Sequence, residues 1–408
     1  MTDTTSGGTD TTVPPAPATT GPATTPHPAP GAHPRSRSHP RNGTGTGTGT
    51  EFSGGTGATV GIHPGSGTGG SGTTDGGHSG GTPGRLRLGV FVPTVEAPWE
   101  HGLDPHGVVE FGVRAERLGF DSLWVTDSLL TPRIEAMTAL TALAMVTERV
   151  VLGTGALLPA LRTPVQAAHT IASVDRLSDG RLVLGVGAGF PGRFGRPVYE
   201  MAGTPWPRRF TRLDETVDLW RRLWSAQGPV TFEGEVLRFE DVPAPLRPTR
   251  PEGPPIWLGG ATPKALDRAG RLYDGWLPYP PDPADYATGL TAIRAAADGA
   301  GRSEQPFSPA LFVNVLVSDA TDGGRALLDD YAHRAYGMPI SSLEQIQAVV
   351  AGPADVVAEH LAAYVRAGAR DLVIRCAAPD VVEQRAQVEA LAELRPLLEA
   401  RAGVEAAA

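Results

Sequence analysis

The residues able to do chemistry stand where apolar runs end. Ser122-Leu123-Trp124-Val125 runs straight into Thr126, Asp127 and Ser128, and Val150-Val151-Leu152 into Gly153-Thr154-Gly155 and Ala156. Arg181-Leu182-Val183-Leu184 opens into Gly185-Val186-Gly187-Ala188-Gly189, and Pro255-Ile256-Trp257-Leu258 into Gly259, Gly260 and Ala261. Glycine at a strand end permits dihedrals that a side chain forbids and lets a ligand approach the backbone closely. Asp127 either orients a catalytic partner or ring nitrogen, or caps the segment that follows it. Gly259-Gly260, ahead of Thr262-Pro263 and Lys264, is either a phosphate seat at a helix start or a tight turn. Pro93, Thr94 and Arg375-Cys376 complete the strand-end candidates.

The types present also exclude chemistry. No His/Glu/Asp set has metal-ligand spacing, so no metal is expected, and neither a Gly-x-Ser-x-Gly elbow nor a P-loop occurs. A neutral rim rich in backbone amides suits a large organic cofactor better than acid–base hydrolysis. The single cysteine, Cys376, rules out an internal disulfide and reads as packing rather than as a nucleophile. A formal net charge of -9 with no basic block argues against nucleic acid as a partner. No run is long and apolar enough to span a membrane, and the N-terminus lacks a secretory pattern, so a cytoplasmic location is expected.

Elements that would position these residues follow from periodicity. Residues 1–84 are almost wholly Gly, Thr, Pro, Ser, Ala and His, too poor in apolar groups to offset the entropy of ordering. A disordered tail is expected there; an over-extended start site is a second explanation. Strands are expected at Leu86–Val92, Ser122–Thr126, Val150–Leu152, about Leu182–Leu184, Pro255–Leu258, Gly275–Leu277, Ala310–Val317 and Asp371–Arg375. Helical stripes lie between them: Asp104-Pro105 caps the first, Pro132 opens the second and Pro164 the third. Leu213, Val217, Trp220 and Trp224 share one helical face, and Thr231–Phe239 reads as a hairpin about Gly234 outside the main sheet. Residues 323–349 read as helical, and a last helix covers roughly 381–398.

Eight near-continuous apolar strands alternating with helices suit a parallel sheet buried on both faces. An open doubly wound sheet would carry a phosphate fingerprint after its first strand, and Val92-Pro93-Thr94 is not one. The expectation is an α/β fold, a (β/α)8 TIM barrel over 85–400 with flexible residues 401–408, its site at the strands' carboxyl ends. The long aromatic stretch 188–209, after strand four, reads as a packed lid carrying Phe190, Phe194, Tyr199 and Trp206. Its Arg208 and Arg209 either meet an anionic cofactor tail or substrate, or make surface ion pairs.

From residue 86 to about 400 the chain resembles the bacterial luciferase-like flavin and deazaflavin oxidoreductases, most of all the members using coenzyme F420. Leu118–Asp127, Ser173–Gly189, Pro255–Gly260 and Asp274-Gly275-Trp276 carry the resemblance. It implies an oxidoreductase with its ring cofactor, F420 or alternatively FMN, at the strand ends, acting on a small-molecule substrate, and a homodimer. It implies a non-prolyl cis peptide at Gly155-Ala156 supporting one ring face, and cofactor phosphate on the amides of Gly259, Gly260 and Ala261. Thr126, Gly187, Ala188 and Gly189 would border the cofactor, and Asp127 and Ser128 the reacting atoms. Phe190, Phe194, Glu200, Trp206 and Arg209 would shape the entrance. Many relatives carry histidine where this chain has Ser128, and serine is no general base near neutrality without a partner. Hydride transfer is therefore the expected activity, with an FMN-dependent monooxygenase as the alternative. A barrel that binds cofactor without catalysis is a lesser one.

Overall fold

The computed structural model describes residues 85–190, 195–319 and 321–404. The tail 1–84, Phe194 and the last four residues lie outside that description. The strands are β1 (Arg87–Phe91), β2 (Ser122–Val125), β3 (Val151–Leu157), β4 (Leu182–Val186), β5 (Val230–Glu233), β6 (Arg238–Val242), β7 (Ile256–Leu258), β8 (Gly275–Trp276), β9 (Ser308–Val317), β10 (Val349–Gly352) and β11 (Asp371–Cys376). The helices are α1 (Pro105–Arg117), α2 (Ala136–Ala144), α3 (Pro164–Leu177), α4 (Arg196–Met201), α5 (Arg209–Ser225), α6 (Pro263–Leu272), α7 (Pro283–Gly299), α8 (Thr321–Tyr336), α9 (Ile340–Leu343), α10 (Ala354–Arg366) and α11 (Val381–Ala402).

Eight strands run parallel in the order β9-β11-β1-β2-β3-β4-β7-β8, and β8 pairs back onto β9. The sheet is thus a closed barrel, as the alternation of apolar strands and helices predicts. Phe91, Trp124, Val183, Trp257, Leu277, Ala310, Phe312 and Val373 fill its interior. Gly153 makes this packing possible, because a Cβ there would lie 2.4 Å from the Trp124 ring. At the strands' amino ends Arg87 grips Asp371 through two 2.5 Å hydrogen bonds, joining β1 to β11.

Two details differ from the sequence expectations. Pro132 does not open α2, which starts at Ala136 with the Glu135 carboxylate accepting from the Thr138 amide at 2.8 Å. Residues 132–134 stay extended because Ile134 N–H donates to the Thr94 carbonyl at 3.0 Å and Arg133 bridges to Val95. The stretch read as helical over 323–349 holds α8 and α9 and leads into a ninth strand, β10, which pairs with Asn314–Val317 of β9. The two-residue β8 reaches only Ser308 and Pro309 of β9, so the upper edge of β9 is open to β10. The Ala348 amide donates to the Tyr279 carbonyl at 3.0 Å, seating β10 above β8.

Outside the barrel, β5 and β6 form the expected hairpin. The Glu215 carboxylate accepts from the amides of Glu235, Val236 and Leu237 and fastens it to α5. The α5 stripe is buried, and Trp220 and Trp224 donate their indole N–H groups to carbonyls of α3, Pro164 and Ala168.

Candidate active site

Parallel strands deliver their last inward side chains and their following loops to one rim, and here the rim has two unlike halves. Over β3, β4 and β7 it is backbone. The Gly155–Ala156 peptide bond is cis, and the β3–β4 register shifts between Gly155 and Leu157. Beyond the shift Gly187 N–H donates to the Leu157 carbonyl and Gly259 N–H to the Val186 carbonyl, each at 3.0 Å. A Cβ on Gly187 would meet only the Ala156 methyl, at 3.7 Å, and the Gly189 nitrogen, at 4.0 Å, and one on Gly259 only backbone oxygens at 3.5 Å or more. These positions therefore face open space. Gly260 adopts φ +96°, which favours glycine, and its carbonyl accepts from the Trp276 indole at 2.8 Å. Among the described residues the N–H groups of Gly260, Ala261 and Thr262 meet no protein acceptor. They precede α6, whose cap is Thr262 and whose exposed first turn carries Lys264.

Over β8, β9, β11 and the β2–α2 segment the rim is polar side chains. Asn314, fully buried on β9, donates to Gln347 at 2.9 Å and accepts from the hydroxyls of Tyr331 and Tyr336 at 3.3 Å each. Arg375 on β11 donates to the Tyr336 hydroxyl at 3.4 Å. Its guanidinium lies over the rings of Phe91, at 4.5 Å, and Phe312, at 5.1 Å. Arg133 donates to the Thr126 hydroxyl at 2.5 Å and to the carbonyl and hydroxyl of Thr131. Burial, and then the charge of Arg375, push Arg133 down to about 10. It remains a cation at neutral pH. Burial, reinforced by Tyr336, raises the Tyr279 hydroxyl above its ordinary value, so that phenol stays protonated.

Asp127 sits between these features and is fully engaged. One carboxylate oxygen accepts from the Leu158 amide at 2.9 Å and from Arg162 at 2.7 Å; the other accepts from Arg162 at 3.2 Å. Arg162 also binds Glu135. The end of β2, the turn after β3 and the start of α2 are thereby tied together. The Ser128 hydroxyl accepts from the Leu130 amide at 3.1 Å. Among the described residues no histidine or carboxylate is a hydrogen-bond partner of this hydroxyl, so none of them activates it.

The lid residues divide. Phe190 reaches from the end of β4 toward Tyr279, with ring centroids 6.4 Å apart. Tyr199 is buried edge-on against Trp206 and donates to the Ala188 carbonyl at 3.1 Å. Arg209 lies over the rings of Trp206 and Phe210, and its buried Nε has no partner among the described residues. Glu200 instead makes an exposed pair with Arg196 one turn away on α4. Arg208 pairs with Glu235 on the hairpin turn. Phe194 falls outside the described residues. Cys376 is buried, with its thiol pushed up to about 12 by that burial. Among the described residues no cluster of His, Cys, Asp and Glu could hold a metal ion, and no helix is long and apolar enough to cross a membrane.

Sequence reasoning missed Arg133, Tyr279, Asn314, Tyr331, Tyr336 and Gln347. Asn314 gave the one usable signal, as the lone amide in an otherwise apolar strand. Arg133 was hidden by reading a helix from Pro132.

With this geometry in place, comparison with known proteins is informative. Residues 86–371 match the model of the luciferase-like monooxygenases. An F420-dependent glucose-6-phosphate dehydrogenase of Intrasporangium calvum is 37% identical over 183 residues, which is 42% of this chain and 53% of that protein. The chain thus spans about half the length of that relative. The enzyme of the same description from Kineococcus radiotolerans is 30% identical over 328 residues, 72% of this chain and 93% of the relative. Among solved structures, an F420-dependent secondary alcohol dehydrogenase in complex with an F420–acetone adduct superposes with a TM-score of 0.65 at 21% identity. That match covers 77% of this chain and 99% of the other, a likeness of fold.

Proposed function

The chain belongs to the luciferase-like monooxygenase family, and from that premise we propose that it is an F420-dependent oxidoreductase acting on a small organic substrate at the barrel mouth. The carrying observation is the backbone half of the rim. Open space above Gly187 and Gly259, beside three amides without protein acceptors, fits a flat ring with an anionic tail. F420 has that form. Gly155, Ala156 and Gly187 to Gly189 would border the ring; Gly260, Ala261 and Thr262 would donate to the tail phosphate, and Gly259, expected to do so from the sequence, would not, because its N–H is already given to the Val186 carbonyl. The relatives named for F420 support this cofactor.

Bound deazaflavin supplies two-electron hydride transfer. The protein's own share is to seat ring and substrate face to face and to keep water out. Phe190 and Tyr279 close over the mouth, and the protonated Tyr279 hydroxyl offers a donor to a substrate oxygen gaining charge. Asp127 positions the site through Arg162, and Ser128 shapes the turn beside it. A cytoplasmic homodimer belongs to the same proposal, on the family resemblance.

Absorbance and fluorescence titration of the purified chain with F420, and separately with FMN, tests the reading. Saturation by F420 in preference to FMN is expected. Preference for FMN moves the assignment to a monooxygenase, to be pursued by oxygen uptake. Failure of the folded protein to bind either cofactor refutes both.

A further inference from the structure

The polar half of the rim holds two guanidiniums and no carboxylate free to answer them. Neither Arg133 nor Arg375 has an ion-pair partner among the described residues. The nearby carboxylate, Asp127, is bound by Arg162 and a backbone amide. Both arginines are held by neutral groups: Arg133 by Thr126 and Thr131, Arg375 by Tyr336 and two phenyl faces. Those contacts fix the forks and leave N–H donors over on each. In a chain with formal net charge -9, both partly buried cations stand about the carboxyl end of β1: Arg133 bridges to Val95, just after that strand, and Arg375 lies 4.5 Å over the ring of Phe91 at its end. Uncompensated charge in such a place is costly unless an opposite charge arrives. Fixed guanidinium forks match the planar, two-oxygen face of carboxylate and phosphate.

We propose that Arg133 and Arg375 form an oxyanion-binding pair that seats a carboxylate or phosphate group carried by the substrate. This rests on the barrel mouth being the reaction site. The amide half of the rim takes the cofactor's own phosphate, and the arginine half takes the substrate's anion. Substrate class is thereby narrowed to small organic anions with the oxidisable or reducible carbon one short spacer away from the charged group.

The test uses the full chain without cofactor at low ionic strength. Inorganic phosphate and, separately, acetate are titrated by calorimetry and thermal shift into wild type, Arg375→Met and Arg133→Gln. F420 is then titrated into the same samples. Expected is saturable binding of at least one anion to wild type and about tenfold weakening in each variant, the loss of one charge-assisted contact. F420 affinity should be unchanged. Phosphate preferred over acetate identifies a phosphate-bearing substrate, and the reverse a carboxylate. Three results overturn the pair: no saturable anion binding to folded wild type, anion binding unaltered by the variants, or loss of F420 binding in the variants in place of anion binding. Arginine-dependent anion binding with no F420 binding to wild type would sink the cofactor assignment and leave the pair standing. If Arg375→Met fails to give native near-ultraviolet dichroism, Arg133→Gln decides alone.

Discussion

Replacing Asp127 by asparagine separates anchoring from chemistry at the residue that sequence left ambiguous. The carboxylate is 5% exposed, its partner Arg162 is 17% exposed, and three hydrogen bonds end on the two oxygens. Asparagine keeps an acceptor for Leu158 N–H but removes the charge. Breaking a buried pair from one side costs about 3–5 kcal/mol. Glu135, 47% exposed, remains bound to Arg162 and reduces that to about 2–3 kcal/mol. Unfolding entropy of about 2.1 cal/mol/K per residue, over roughly 315 residues, amounts to about 0.7 kcal/mol/K. Calorimetry should therefore find Asp127→Asn melting about 3–4 °C below wild type. In a double-mutant cycle with Arg162→Met the two changes should couple by about 2 kcal/mol. F420 affinity should fall less than stability does. Strict additivity of the two changes, or an unaltered melting temperature with F420 binding lost, would falsify the anchoring argument and put Asp127 in contact with the cofactor.

Other perturbations have equally definite outcomes. Cys376, buried with its thiol raised to about 12, should not react with Ellman's reagent at pH 8 in the folded protein. It should react once denaturant is added; immediate labelling would show an open barrel mouth. Gly260→Ala forces a side chain onto φ +96° and should cost about 1–2 kcal/mol, with F420 affinity falling at the same time. Equal F420 affinity in that variant would remove the β7–α6 turn from the cofactor site. Glu116 is partly buried, which alone would raise its pKa, but the amides of Arg149, Val150 and Glu148 hold its carboxyl below the usual range. That stabilisation is present above the unfolded value and is lost as pH falls through the lower folded one. Acid unfolding of Glu116→Gln should therefore be shallower below about pH 4.5 than that of wild type, and identical slopes would refute it.

Sequence legibility followed physical scale. The barrel was readable because eight apolar runs with glycine at their ends leave few other ways to bury both faces of a sheet. The placement of the backbone half of the mouth was readable for the same reason: Gly155, Gly187 and Gly259–Gly260 stand at the carboxyl ends of β3, β4 and β7, and their spacing from the strands is short and local. The polar half depends on long-range placement. Arg133 enters the mouth only because Thr94 and Val95 capture the segment after Pro132 in extended form. Tyr331, Tyr336 and Gln347 meet Asn314 only because β8 is two residues long and β10 fills the edge above it. Nothing local marks Glu200 as belonging to a surface pair with Arg196 rather than to the entrance, since either role suits a glutamate in an aromatic loop.

The short β8 also divides the molecule by provenance. Ring closure needs only Ser308 and Pro309 of β9, whereas Tyr331, Tyr336 and Gln347 come from one continuous stretch between β9 and β10. That stretch acts as a cassette. Among the described residues its strand, β10, pairs with β9 alone and not with β3, β4 or β7 beneath the amide cradle. A graft of this stretch from a relative, together with the residue at 314 that is buried against Gln347, should alter what the mouth accepts and leave F420 affinity unchanged. On the proposed reading, one insertion would then set what enters the mouth and the glycine turns opposite would set what it meets there.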